Sequence, residues 1–265
     1  MNDDFSLSPD YFVHFMLVFF RLGSVVIFAP FFNHSSFPTI LRISLALLLS
    51  LVIFPLQNST LFVAPTSIYI FFLDILRELL IGFTIGLSAQ LIFTGIQFGG
   101  ELISVQMGLS TATLLDPGQN QQTTLISQLY NLFALVIFIS IGGHRLFVQS
   151  MVQTFDMIPL GDFYISANLN SQITTIFGQI YTIGFQISAP VFVASFLTTV
   201  AMALVTRAIP QINVFVIAPP FQIIIGFAMI IFSLRASVFM FQYLFEQMAT
   251  NLNIVIQEIS NTSFE

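Results

Sequence analysis

An all-α, integral-membrane-type helical protein with kinked and broken hairpin helices is the fold class this sequence predicts. Three observations lead there. Of its 265 residues, 56% are hydrophobic and only 7% are charged, whereas soluble domains carry about 25% charged residues. The apolar residues gather into long runs, several of them near the roughly 20 residues needed to cross a hydrocarbon core. Proline interrupts those runs, and it removes a backbone donor and clashes with the preceding turn. In hydrocarbon the carbonyls so freed need partners, which protein or a water-filled cavity must supply.

The N-terminus carries Asp3, Asp4 and Asp10 and no basic residue before Arg21. A cleavable signal peptide starts positive, so residue 1 is read as part of the mature protein. The first apolar run, Tyr11–Phe32, then serves as its own insertion signal. The second, Ile40–Phe54, is short, bounded by Pro38 and Pro55 and interrupted by Arg42. The third, Ile68–Phe98, contains Asp74, Arg77 and Glu78, and the fourth is Leu125–Ile141. The fifth, Ile173–Val205, is too long for a simple crossing and is expected to bend at Pro190. The sixth, Ile212–Met240, contains Pro219-Pro220. Hydropathy predicts five or six spans, and the misfits predict segments buried in protein rather than bathed in lipid.

All six basic residues are arginines, and most lie within or beside apolar runs. A charge at mid-bilayer is costly, so each is expected to face protein or water. Arg stays ionised and can fork to several acceptors when buried, whereas Lys readily loses its proton. Arg207, just before Ile209-Pro210, is read as a buried cation at a helix end, where it can serve carbonyls that the proline leaves without donors. Asp74 and Arg77 stand one helical turn apart and are expected to pair, with Glu78 in the same locally neutral cluster. The net charge of −6 and the lack of a basic run argue against nucleic acid or an anionic membrane surface as partner.

Polar residues recur at helical spacing on two faces. In the third run they are Gln90, Thr94, Gln97 and Glu101, continued by Ser104 and Gly108 with Gly86 at the start. In the fifth they are Gln172, Thr175, Gln179, Thr182 and Gln186. Such stripes are read first as helix–helix hydrogen bonding and second as pore lining. Between the third and fourth runs lies Met107–Gln122, a polar loop whose Asp116-Pro117-Gly118 marks a turn. By itself it reads as a connector. A second connector, residues 142–171, is amphipathic. Leu146, Met151, Phe155 and Ile158 form its expected apolar side, suited to an interfacial or subunit-packing helix that ends at Pro159-Leu160-Gly161.

The three histidines, His14, His34 and His144, lack metal-ligand spacing. No nucleophile elbow, phosphate loop or dinucleotide fingerprint occurs. With no Cys there is no thiolate chemistry. The sequence supports neither an enzyme nor a cofactor.

Four stretches, in order, resemble the FliR family of flagellar export-gate proteins and its injectisome counterparts in type III secretion. They are Arg21 to Pro38 followed by Leu41-Arg42-Ile43; Arg77-Glu78 with Gly82 and Gly86; Gly143-His144-Arg145-Leu146 continuing to Ile158-Pro159-Leu160-Gly161; and Ala189-Pro190 through Pro219, with Arg207-Ala-Ile-Pro210-Gln-Ile-Asn213 at its centre. Pro219-Pro220 doubles a position where the family usually has one proline. The resemblance implies a structural subunit with a FliP-like part over residues 1–172 and a FliQ-like helical hairpin over 173–265. It implies a ring with FliP-like and FliQ-like partners, an FlhB-like neighbour, and passage of unfolded flagellar proteins across the bacterial inner (cytoplasmic) membrane at the flagellar basal body. It assigns assembly roles to Arg42, Asp74, Arg77, Glu78, Pro190, Arg207, Pro210, Asn213 and Pro219. It also turns the loop at 107–122 into a channel plug, carried by Met107, Gly108, Leu109, Leu114, Leu115, Asp116, Pro117 and Gly118. The competing expectation is a secondary transporter with discontinuous helices at Pro190 and Pro219-Pro220.

Overall fold

The computed structural model describes residues 9–30, 38–57, 65, 67–109, 124–161, 167–209, 211 and 214–261. Among them every regular element is helical. The helices are α1 (Pro9–Phe28), α2 (Thr39–Ile53), α3 (Ile68–Gln106), α4 (Leu125–Ser140), α5 (Gly143–Met157), α6 (Ala167–Ala208) and α7 (Val214–Asn261). A short 3-10 turn, Phe54–Leu56, closes α2 with Pro55 in its first turn. Among the described residues five helices are long and apolar enough to cross a membrane, or six if α4 and α5, broken at Ile141-Gly142, count as one span. This is the expected range.

Three helices exceed what a bilayer needs. With 39, 42 and 48 residues, α3, α6 and α7 run about 58, 63 and 72 Å at 1.5 Å per residue, against about 30 Å of hydrocarbon. Their surroundings differ. The apolar window of α3 is 67% buried, whereas those of α6 and α7 are 22% buried.

α6 continues through Pro190 as a helix, and α7 continues through Pro219 and Pro220. A proline inside a helix forfeits one i→i−4 bond, and the turns on either side hold the rest. The two helices are separate elements, α6 ending at Ala208 and α7 beginning at Val214.

The chain divides into two compact units, each assembled from separate stretches. The first comprises Met1–Gln90, Gly143–Thr175 and Gln247–Glu265, and the second Leu91–Gly142 and Ile176–Glu246. In the first unit α1 lies against α2, with His14 edge-on to Phe54 at 5.0 Å between ring centroids. Gly82 and Gly86 let α3 cross α1 closely. A Cβ on Gly82 would fall on the carbonyl oxygen of Arg21, and one on Gly86 would come within 2.7 Å of the Phe28 Cβ. The buried face of α5 is Phe147, Ser150, Met151, Thr154 and Phe155. Phe147 therefore takes the place expected for Leu146, which is exposed. That face is buried within the chain, not against a membrane interface, because α5 carries the neighbours of a buried charge.

In the second unit an aromatic cluster fills the core. Phe93, Phe138 and Phe245 meet with centroids 5.1–5.6 Å apart, and Tyr130 and Phe133 lie edge-on to Phe241. Offset and edge-on pairs are favoured by the ring quadrupole. Here too glycine sets the spacing. Gly95 and Gly99 of α3 face Ile183 and Ile187 of α6, and Gly100 faces Ser127 of α4.

Candidate functional site

The chemically densest place in the chain is a buried ion-pair knot in the first unit. Arg21 of α1 and Glu78 of α3 are both fully buried and form a two-pronged pair. The Nε of Arg21 donates to Glu78 Oε2, and Nη2 donates to Oε1 at 3.0 Å. The remaining N–H groups point to the C-terminal end of α5. Nη1 donates to the carbonyls of Thr154 at 3.1 Å and Ile158 at 3.0 Å, and Nη2 also to that of Pro159 at 3.4 Å. A guanidinium has five donors, and all five are used. The last carbonyls of a helix lack intrahelical donors and sit at the negative end of its dipole, so Arg21 caps α5 from a different helix. Its guanidinium carbon lies 4.6 Å from the centroid of the Phe155 ring, a cation–π contact in a dry setting.

Gly161 completes the knot. Its φ of +83° is in the left-handed region, which non-glycine residues rarely adopt. Its N–H donates to Glu78 Oε1 at 2.8 Å, and its carbonyl accepts from Arg77 Nη1 at 2.9 Å. Arg77 Nη1 also donates to Asp74 Oδ1 at 3.0 Å. A side chain on Gly161 would press on that carboxylate, because a Cβ would lie 3.3 Å from the Asp74 carboxyl carbon. One tight turn after α5 therefore joins both ion pairs of α3.

The expected pairing of Asp74 with Arg77 is present. Glu78, grouped with them from its position, has its charge partner 57 residues away in Arg21. The signal is present in the sequence: a lone arginine and a lone glutamate in two apolar runs each require a countercharge. Their mutual pairing is not readable from spacing.

In the second unit, α3 stops on a Schellman motif. The Gly108 N–H donates to the Val105 carbonyl at 3.0 Å and the Leu109 N–H to the Ser104 carbonyl at 3.1 Å, with Gly108 at φ +77°. Met107 is fully buried, and its side chain occupies the space left by the missing Cβ of Gly226 on α7. Met107 thus belongs to the core and anchors the loop. Leu114, Leu115, Asp116, Pro117 and Gly118 lie outside the described residues.

Pro190 lies inside α6, Pro219 inside α7, and Arg207 in the last turn of α6. The expectation of a buried Arg207 is not met, since it is exposed in the single chain. Pro210 and Asn213 lie outside the described residues. Arg42 is half-buried on α2. The structure therefore joins Asp74, Arg77 and Glu78 at one place, with Arg21 and Gly161, and holds Met107 and Gly108 at another.

Comparison with known proteins shows the family to which the chain belongs. The family of bacterial export proteins, family 1, matches residues 12–248. The flagellar biosynthetic protein FliR of Bacillus subtilis strain 168 is 32% identical over 230 residues, covering 84% of this chain and 86% of that protein. FliR of Aquifex aeolicus strain VF5 is 31% identical, covering 86% and 87%, and FliR of Escherichia coli K12 is 25% identical, covering 90% and 91%. The chain belongs to the FliR family of bacterial export proteins. It is a membrane subunit of the flagellar biosynthesis and export apparatus. In this FliR-family chain the matched region includes the whole Arg21–Glu78–Gly161 knot and the stop of α3 at Gly108. Three of the four stretches that carry the resemblance in the sequence contribute residues to the knot: Arg21, Arg77-Glu78 and Ile158 to Gly161.

Proposed function

We propose that this chain is a structural, non-enzymatic subunit of the type III flagellar export gate in the bacterial inner membrane. It joins FliP-like and FliQ-like subunits, with an FlhB-like neighbour, in a closed helical ring through which unfolded flagellar proteins pass. The observation that carries this reading is the mismatch between helix length and bilayer thickness. At about 63 and 72 Å, α6 and α7 are more than twice the depth of the hydrocarbon. Large apolar side chains stand exposed from Phe177 to Leu204 on α6 and from Val216 to Tyr243 on α7, about 42 Å of each helix. Lipid can cover only part of such surfaces, and exposed apolar area of this extent marks a protein interface. Other helical subunits would cover the remainder.

The reading extends to the parts of the chain. Residues 1–172 act as the FliP-like part and 173–265 as the FliQ-like hairpin, and the loop at 107–122 seals the channel. The transporter alternative rests on breaks at Pro190 and Pro219-Pro220, and both helices run unbroken through those prolines.

The test is co-expression. Produced alone, the chain is expected to aggregate or to be lost from the membrane. Produced with FliP-like and FliQ-like proteins, it is expected to copurify with both as one large complex in detergent. A monodisperse monomer, stable without partners, would overturn the proposal.

A further inference from the structure

Glu101 of α3 is a carboxylate without a countercharge. It is half-buried within an apolar helix and has no ion pair or hydrogen bond among the described residues. The chain cannot readily supply a partner. It contains no Lys, its six basic residues are all Arg, and every one of them is at a described position. An unpaired charge in a membrane segment is costly and ordinarily faces protein or water.

What Glu101 faces is an open groove of about 660 Å³ in the second unit, between α3 and α6. Thr94 and Gln97 line it two turns and one turn before Glu101, and Phe177, Gly178 and Tyr181 form the opposite wall. Phe98 and Tyr181 meet edge-on with centroids 5.6 Å apart, which gives the groove a firm aromatic wall. Gly178 leaves it bare at one point, since no atom lies within 4 Å of where its Cβ would be.

We propose that this groove receives a membrane helix of a different subunit, one that carries an Arg or Lys side chain for Glu101. The proposal rests on the reading that the chain assembles with other helical subunits, and it assigns one contact within that assembly. A carboxylate with aromatic faces beside it suits a cation, which gains both an ion pair and a cation–π contact. The hydroxyl of Thr94 and the amide of Gln97 lie along the same helical face and can bond across a helix–helix contact. Bare glycine is what a helix needs to approach closely, whereas an acyl chain needs neither the glycine nor the polar row. A second copy of this chain docking here would make a head-to-tail contact, which propagates unless its rotation closes.

The experiment uses the full chain co-expressed with its FliP-like and FliQ-like partners. A photoreactive phenylalanine analogue replacing Tyr181 is expected to cross-link to an apolar segment of a partner that contains Arg or Lys. Glu101→Gln is expected to lower the yield of intact complex about tenfold, the size of losing one charge-assisted hydrogen-bonded contact. Gly178→Leu is expected to do the same by filling the groove, at a position where the chain itself has room. Neutralising the cross-linked basic residue in the partner is expected to reproduce the loss while leaving this chain unaltered. Cross-links only to lipid or to a second copy of this chain would overturn the proposal, as would wild-type yield from both variants, while leaving the assembly reading intact. Absence of any complex with the wild-type chain would overturn both.

Discussion

Arg21 and Glu78 stand 57 residues apart and meet with no solvent between them. Removing one member of such a pair leaves a buried charge unanswered and costs roughly 3–5 kcal/mol, whereas replacing both with apolar residues can be nearly neutral. Arg21 has a second duty, since it also serves three carbonyls at the end of α5. Arg21→Leu is therefore expected to abolish accumulation of the chain in the membrane. Arg21→Leu combined with Glu78→Leu is expected to recover only part of it, because the Ile158 and Pro159 carbonyls lose their Arg21 donors and the Gly161 N–H loses its Glu78 acceptor. Immunoblots of membrane fractions would measure this. Full recovery in the double variant would show that the pair alone matters and the capping does not. The Asp74–Arg77 contact was legible because its partners are three residues apart on one helix. The Arg21–Glu78 contact was not, because it depends on how α1 crosses α3.

The crossings of α3 with α1, α6 and α4 have glycine where the backbones come close, and the position of a glycine decides its tolerance. Gly82 sits against the backbone of α1, so Gly82→Ala forces α1 and α3 apart, an overpacking expected to cost about 1–3 kcal/mol. Gly23→Ala has room, with the nearest atom, the Ala46 Cβ, at 4.0 Å. Thermal unfolding of the purified complex is expected to separate the two, with a lower midpoint for Gly82→Ala alone. Equal midpoints would remove the close crossing as an explanation for Gly82. At the end of α3, the buried Met107 and the Gly108 stop separate the helix from its connection to α4. Deletion of residues 110–122 keeps that stop and, on the plug reading, leaves assembly intact while making the membrane leaky to ions or small dyes. A deletion complex as tight as wild type would make the loop a connector only. Met107→Ala acts on the core instead, since it empties the space at Gly226, and is expected to cost about 2–5 kcal/mol.

Taken whole, the molecule buries α3 and leaves α6 and α7 largely open. The lack of cysteine makes that exposure directly measurable, because any introduced thiol is the only one. Single cysteines at Ile217, Ile231, Tyr243 and Gln257 sample most of α7 on exposed positions. In the chain alone, lipid is expected to shield a stretch of about 20 residues and leave the rest open to a water-soluble maleimide. In the assembled complex the remaining positions are expected to become protected as well. Labelling that does not change on assembly would mean that no subunit covers α7.

Composition and apolar run length were enough to establish an all-helical membrane protein, and the order of its charged and proline motifs led to the FliR family. Those properties depend on residue type and local spacing, which sequence displays directly. The tertiary structure decided the rest. It paired Glu78 with Arg21, turned Phe147 and not Leu146 into the core, carried α6 unbroken through Pro190, and placed Met107 inside against Gly226. Each of these is a competition among contacts between helices distant in sequence. Burial of a charge, the close approach of a glycine and the filling of one cavity by one side chain exist only once those helices meet.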